Sequence, residues 1–537
     1  MNSVMNEDLT ATGTLVRFAL RRDRVKLPIW IGAIGLGMLY AVSALPTVYS
    51  TPAERQVRAG LMDSPAAKMM SGPGYGLDNY TLGAMITNEM VLYLAIPAAM
   101  MSIFLITRHT RAEEETGRAE LIRSTVVGRY AATTAALIVA VIANTGVALL
   151  TALAMLSGDL PATDSFAVGA GIGLTGLSFA GIAVVTSQLT EHSRAASSLA
   201  MAAVGAAFLL RAIGDVSRPG GNLLSWLSPL AWTQQARPFV DLRWWPLLLS
   251  VAVLVVTVAI GYAVSVRRDV GAGLLPPRLG RAEAAPSLST PFGLAVRQQR
   301  AGLIGWAIGL FVFAVPMGSL SDSVIDAVAD NPQLGEVFTA NGQDPVDAFY
   351  STMALFFALL VGAFAVISVL RLRSEERTGH TEAALATSVA RRHWFFAWVG
   401  FTTLASAALL MISGVGVGLG AASGAAGPST IAELAFGTLA FLPAVMVVAG
   451  VAAALFGVRP SVSALAWIVV GYAVFFGMFG ALLDLPDWIK DLSPFAHTTA
   501  APLADLPVVP LLVLTGLAAG LALVGSTTFR HRDIETT

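Results

Sequence analysis

The feature that most constrains this chain is a stretch written twice. Residues 111–129 read RAEEETGRAELIRSTVVGR, and residues 373–391, 262 positions later, read RSEERTGHTEAALATSVAR. Nine of the 19 aligned positions are identical: Arg111/Arg373, Glu113/Glu375, Glu114/Glu376, Thr116/Thr378, Gly117/Gly379, Glu120/Glu382, Thr125/Thr387, Val127/Val389 and Arg129/Arg391. Each copy directly follows a long apolar segment. A long-period internal repeat of this kind fixes the architecture before any single motif is weighed.

The correspondence extends along the chain. Arg21-x-x-Arg24 with Trp30 matches Arg297-x-x-Arg300 with Trp306. Leu227-Ser228-Pro229 matches Leu492-Ser493-Pro494, and Arg268-Asp269 matches Arg532-Asp533. The repeat predicts a first half over 1–266, an extended cytoplasmic linker over 267–296 and a second half over 297–537. Only 12% of the residues are charged, against about 25% in soluble domains. A bilayer core takes about 20 apolar residues per helix. Twelve segments meet that need: 27–49, 83–107, 130–157, 165–188, 197–215, 243–266, 301–319, 347–370, 394–422, 430–456, 461–483 and 505–528. The predicted fold is an all-α polytopic membrane protein, its twelve helices arranged as two parallel six-helix repeats, since an even number per half preserves orientation.

Placing both termini in the cytoplasm puts 25 of the 33 Lys and Arg residues there. The positive-inside rule therefore assigns both copies of the acidic element to the cytoplasm. The polar N-terminus has no short apolar run, so no cleaved signal peptide is expected and the first span directs insertion. The net charge of −1 gives no field for nucleic acid, and the absence of cysteine removes disulfides and thiolate metal sites. The six histidines form no close pair in sequence, and no metal site is expected.

In the acidic element, Glu113, Glu114 and Glu120 flank Thr116-Gly117, and Leu121, Ile122, Val126 and Val127 follow. A solvated interhelical loop would explain one copy. Two copies with position-specific glutamates and a glycine favour a docking element with two equivalent faces for a cytoplasmic partner. Ahead of the first span, Phe18 among Arg17, Arg21, Arg22 and Arg24 fits either an interfacial helix or plain positive-inside anchoring. At membrane depth, Glu89, Asn88 and Asn144 are candidates for the substrate path, as intramembrane polar groups are by default; Glu89 answers to Ser351 and so lies outside the duplicated plan. Arg211 and Asp215, four apart, read as an internal ion pair.

The chain resembles the permeases of the ATP-binding-cassette (ABC) family, type-2 exporter class. It is most similar to the fused, duplicated form found in polyketide-antibiotic (tetronasin-type) efflux in actinobacteria. The marks are the Glu-Glu-x-Thr-Gly-x-x-Glu elements after spans 2 and 8 and the basic segments Phe18–Lys26 and Ala295–Arg300. The resemblance implies that Arg111, Glu113, Glu114, Thr116, Gly117, Glu120 and Arg129, with Arg373, Glu375, Glu376, Thr378, Gly379, Glu382 and Arg391, form two coupling helices for an ATPase subunit. It implies interfacial connecting helices at Phe18, Arg21, Arg24, Arg297 and Arg300, and short re-entrant helices within 216–242 and 484–504. The family's Thr-Pro-x-x-Arg exit turn lacks its proline in both copies here. No Gly-x-x-x-x-Gly-Lys-[Ser/Thr] loop occurs, so ATP and Mg²⁺ are expected on a partner and no cofactor on this chain.

The function expected is that of a non-catalytic permease subunit of the bacterial plasma membrane. It would bind two copies of a separate ABC ATPase, contact membrane lipid and export a small lipophilic substrate. A major-facilitator-like secondary transporter shares the span count and the repeated loops, although its Gly-x-x-x-Asp-x-x-Gly-Arg loop is absent. A lipid scramblase or channel is a third reading.

Overall fold

The computed structural model describes residues 8–268, 271–274, 282–321, 325, 345–424, 427–479, 487–498 and 508–534. The described residues form helices joined by turns, and eleven of the helices are long and apolar enough to cross a bilayer. They are Lys26–Val48, Leu82–Glu115, Ala131–Leu156, Ala162–Leu189, Ser193–Ser217, Trp245–Ser265, Pro291–Ser319, Val346–Arg377, Arg391–Ala422, Ser429–Val458 and Val508–His531. The protein is an all-α polytopic membrane protein.

The twelfth expected span, 461–483, differs. Its described part is a 3₁₀ stretch, Pro460–Leu465, followed by the helix Ala466–Phe479; residues 480–483 lie outside the described residues. Pro460 supplies no backbone donor, and the Ser463 hydroxyl donates back to the Pro460 carbonyl at 2.7 Å, which tightens the opening turns. Span 10 is likewise interrupted, with helices Ser429–Leu439 and Leu442–Val458 meeting at Ala440-Phe441.

A second departure concerns the connecting helices. In the first half a separate amphipathic helix, Thr12–Arg22, ends at Asp23 before span 1 begins at Lys26. Asp23 is drawn aside by Arg108 (2.6 Å) and His109 (2.5 Å) at the end of span 2. In the second half the corresponding segment, with Arg297 and Arg300, is the opening of one continuous helix, Pro291–Ser319. The counterpart of Asp23 is Gln299, whose side chain accepts from Ser368 (2.9 Å) without interrupting the helix. The expected second connecting helix is therefore not separate from its span.

The chain divides at Gly280 into two compact units, 1–280 and 281–537. Span 4 is the centre of the first, with 78% of its most apolar window buried against 17% for span 6. Gly176 lets span 4 lie against span 3: a Cβ there would come within 2.0 Å of Asn144 Oδ1. Beside it, residues 230–236 are buried. They follow the short helix Leu223–Trp226 and include the helix Trp232–Gln235. Thr175, midway along span 4, meets the Pro229 carbonyl at 3.4 Å and the Thr233 hydroxyl at 3.3 Å. Ser228 donates to Ala207 in mid-span 5 at 2.7 Å. The segment thus dips between spans and returns, which is a re-entrant course. Of its counterpart, 484–504, residues 487–498 are described, with short helical turns at Asp487–Lys490 and Pro494–His497. The second unit is held by a large apolar core rich in aromatics, among them Trp394, Trp398, Phe456 and Phe529.

Candidate functional site

Each copy of the repeated element is an elbow at the end of a long helix. Span 2 stops at His109, breaks at Thr110 and resumes as Arg111–Glu115. Span 8 continues unbroken from Pro345 to Arg377. Then both chains turn at the repeated glycine, Gly117 with φ +72° and Gly379 with φ +77°, into short helices Arg118–Arg123 and His380–Leu385. The preceding threonine secures each turn: Thr116 donates to Ala112 at 2.9 Å and Thr378 to Ser374 at 3.0 Å. The surroundings of both glycines are open, so the left-handed backbone alone demands glycine. Gly379→Val is expected to cost about 1–2 kcal/mol and to lower the melting temperature, whereas Gly379→Asn, tolerant of that conformation, stays near the parent. An equal loss for both would remove the conformational argument.

The paired glutamates turn inward. Glu114 accepts both guanidinium nitrogens of Arg268 at 2.8 Å and one of Arg111 at 2.6 Å. Its counterpart Glu376 accepts both nitrogens of Arg532, at 2.5 and 2.6 Å. Arg268 and Arg532 stand just past the last span of each half. Glu113 pairs with Arg22 on the connecting helix, and Glu375 accepts from Gln298, the counterpart of Arg22, at 3.0 Å. Arg371 and His380 also reach Glu375, each at 3.2 Å. Glu375 and Glu376 are 4% and 1% exposed, which leaves little of either carboxylate for another molecule. Forked pairs of this kind fix geometry as well as charge.

The repeated arginine at the end of each element makes a second tie. Arg129 donates to the carbonyls of Ser265 (3.5 Å) and Val266 (3.2 Å), where span 6 ends. Arg391 donates to Phe529, Arg530 and Arg532 at 3.3, 3.2 and 2.7 Å, at the end of the last span. A cation at a helix C-terminus meets unpaired carbonyls and the negative end of the dipole. Arg111 also donates to Glu191, Gly271 and Ala272, at 2.8, 2.6 and 3.2 Å; its counterpart Arg373 makes no hydrogen bond or ion pair among the described residues.

What each elbow leaves exposed is its tip: Arg118, Glu120, Leu121 and Val126 in the first half, and Arg377, His380 and Glu382 in the second. On the connecting segments Phe18, Arg21, Arg24, Arg297 and Arg300 are exposed, while the clamping residues are their neighbours Arg22 and Gln298. Those two were not singled out from sequence, although the offset of 276 that aligns Arg21 with Arg297 also aligns them. Arg268 and Arg532 were visible only as a matching dipeptide.

The three polar residues at membrane depth are not brought together. At the opposite end of the unit from the elbow, Glu89 forms a fork with Arg58, at 3.0 and 2.9 Å. Burial works to lower the Arg58 pKa, and the adjoining Glu89 carboxylate overrides it and raises the value. Asn88 holds the Tyr75 backbone, donating to its carbonyl at 2.9 Å. Asn144 donates to Ser102 (2.8 Å) and Ala140 (2.9 Å) in the middle of the helix packing. All three side chains are engaged within the protein. The described residues contain no group of three or more acidic or histidine side chains arranged to hold a metal.

A family profile described as "Multidrug efflux system permease Rv1217c, C-terminal domain" matches residues 13–264 and 288–530. The chain is similar to the "Multidrug efflux system permease protein Rv1217c" of Mycobacterium tuberculosis (strain ATCC 25618 / H37Rv), with 38% identity over 533 residues covering 98% of this chain and 95% of that protein.

Proposed function

The chain belongs to the multidrug efflux system permease family, and on that footing we propose that it is the membrane-spanning subunit of an ATP-driven exporter of the ABC type-2 class. Its substrate is a lipophilic drug, antibiotic or lipid-like molecule. The energy comes from two copies of a separate ATPase subunit, which hold the ATP and Mg²⁺. The protein sits in a bacterial plasma membrane with both termini and both elbows in the cytoplasm.

The observation that carries this reading is the duplicated elbow, bent at the same glycine and tied to the same two places in each half. The ATPase subunits seat on the exposed tips around Glu120 and Glu382. When nucleotide draws them together, each tip is displaced. Glu113 and Glu375 pass that displacement to the connecting segment, and Glu114 and Glu376 to the end of the last span. The buried glutamates thus act as the linkage inside the permease, and the exposed ones meet the partner.

The test uses the full chain co-expressed with a P-loop ATPase encoded beside it. ATP-dependent uptake into inside-out vesicles is expected, with no uptake from a proton gradient alone; the reverse pattern makes the protein a secondary transporter and overturns the reading. Glu120→Arg with Glu382→Arg is expected to weaken ATPase capture about tenfold, or ~1.4 kcal/mol, without changing the melting temperature, because both side chains are exposed. Unchanged capture would take the docking face away from these tips.

A further inference from the structure

The two halves differ at one place where the repeat should make them alike. In the first half a partly open hollow of about 70 Å³ lies between the connecting helix, the elbow and the start of span 3. Its floor is made by Ala132, Thr133 and Ala136. At the offset of 262 that aligns the elbows, these positions are Trp394, Phe395 and Trp398 in the second half. All three aromatics are buried to 2% exposure or less. They share one core with Ala295 and Leu372, the counterparts of Ala19 and Thr110, which line the first-half hollow. At the same register one half carries indole and phenyl rings, two of them stacked on Phe529, where the other carries methyl groups and a hydroxyl.

The charge around the hollow is not neutral. Glu113 and Glu114 reach it, and Arg22, Arg111, Arg129 and Arg268 lie beside it or pair with those carboxylates. Four guanidinium groups against two carboxylates leave an excess of positive charge. The Asp23 carboxylate that meets His109 is balanced by Arg108. The Thr110 and Thr133 side chains also line the space. At its mouth the connecting helix exposes Phe18, and Val25 follows just beyond it; the two are 54% and 61% exposed. An amphipathic helix of this character lies at a membrane surface, apolar side toward the acyl chains.

We propose that this hollow is a binding site for an anionic phospholipid of the leaflet on the elbow side, present in the first half only. Its volume suits a headgroup phosphate rather than a whole lipid. The phosphate sits between Arg22 and Arg129, and the acyl chains lie outside along Phe18 and Val25. Lipid bound there braces the connecting helix against the elbow. The site depends on neither the ATPase nor the transport direction, so it stands or falls separately from the proposed function.

The full-length chain, purified in mild detergent, is titrated with phosphatidylglycerol, phosphatidylcholine or inorganic phosphate and read by native mass spectrometry. Retention of phosphatidylglycerol over phosphatidylcholine is expected, with no displacement by millimolar phosphate. Ala132→Trp with Ala136→Trp installs the second-half residues and is expected to lower retention about tenfold. Arg22→Gln installs the residue found at 298 and keeps the hollow open, so it tests the charge without filling the space; it is expected to remove the preference for the anionic lipid. Retention unchanged in both variants, or full displacement by inorganic phosphate, overturns the proposal.

Discussion

Glu376→Ala is expected to lower the stability of the protein by about 3–5 kcal/mol, the usual result of removing one partner from a buried ion pair. The reason is the geometry at the end of the last span. Both nitrogens of Arg532 point at the Glu376 carboxylate, and the guanidinium also lies over the rings of Phe456 (5.0 Å) and Phe529 (5.1 Å). Without the carboxylate that cation is left in an aromatic pocket. Arg532→Ala leaves the buried glutamate instead and is expected to cost a similar amount. The two changes together should cost clearly less than their sum, because neither charge is then stranded. Thermal unfolding of the purified chain measures the cycle, and vesicle efflux measures its consequence: both single variants lose export while still inserting. A glutamate that served only to contact an ATPase would behave otherwise. Arg532→Ala would then be harmless to stability, and a strictly additive cycle would sink the internal linkage.

The first half adds a comparison. Glu114 is held by Arg111 as well as by Arg268. Arg268→Ala is therefore expected to be milder than Glu114→Ala, which leaves two guanidinium groups beside one another. The repeat looks symmetric in sequence, but its ties are doubled on one side by Arg111, which also holds the loop after span 4 and the turn at Gly271-Ala272.

Much of this was legible from the residues alone because the signals were periodic or repeated. Apolar runs of bilayer length located eleven spans closely, and the duplicated element located both elbows and their glycines. The failures have physical causes. The interruptions at Pro460 and at Ala440-Phe441 are local backbone events inside apolar sequence, which hydropathy averages away. The merging of Arg297 and Arg300 into span 7 turns on Gln299 standing where the first half has Asp23. The direction in which the glutamates face was beyond a one-dimensional reading. An acidic row looks solvated until its arginines, 154 or 156 residues away, are seen to fold back upon it. The hollow was hidden for the same reason: alanine in an apolar helix announces nothing until its counterpart is a buried tryptophan.

Arg211→Ala is expected to be the most damaging single change at the end of the first half opposite the elbow, again by about 3–5 kcal/mol. Arg211 and Asp215 are fully buried and pair at 2.9 Å across one turn of span 5. The same guanidinium donates to the carbonyls of Lys68 and Met69, so it also fastens the short helix Pro65–Ser71 to the span. Arg211 therefore serves a carboxylate and two backbone carbonyls of that short helix. The repeat sets phenylalanine, Phe475 or Phe476, against this position, so the pair is not part of the duplicated plan. Arg211→Met with Asp215→Leu removes both charges while keeping volume, and it should recover most of the stability lost in Arg211→Ala. The double variant no longer ties the carbonyls of Lys68 and Met69 to span 5. Protection of residues 65–72 from hydrogen exchange is therefore expected to fall even where the melting temperature returns. If protection and melting temperature recover together, the arginine matters only to Asp215, and its tie to the helix Pro65–Ser71 carries no weight.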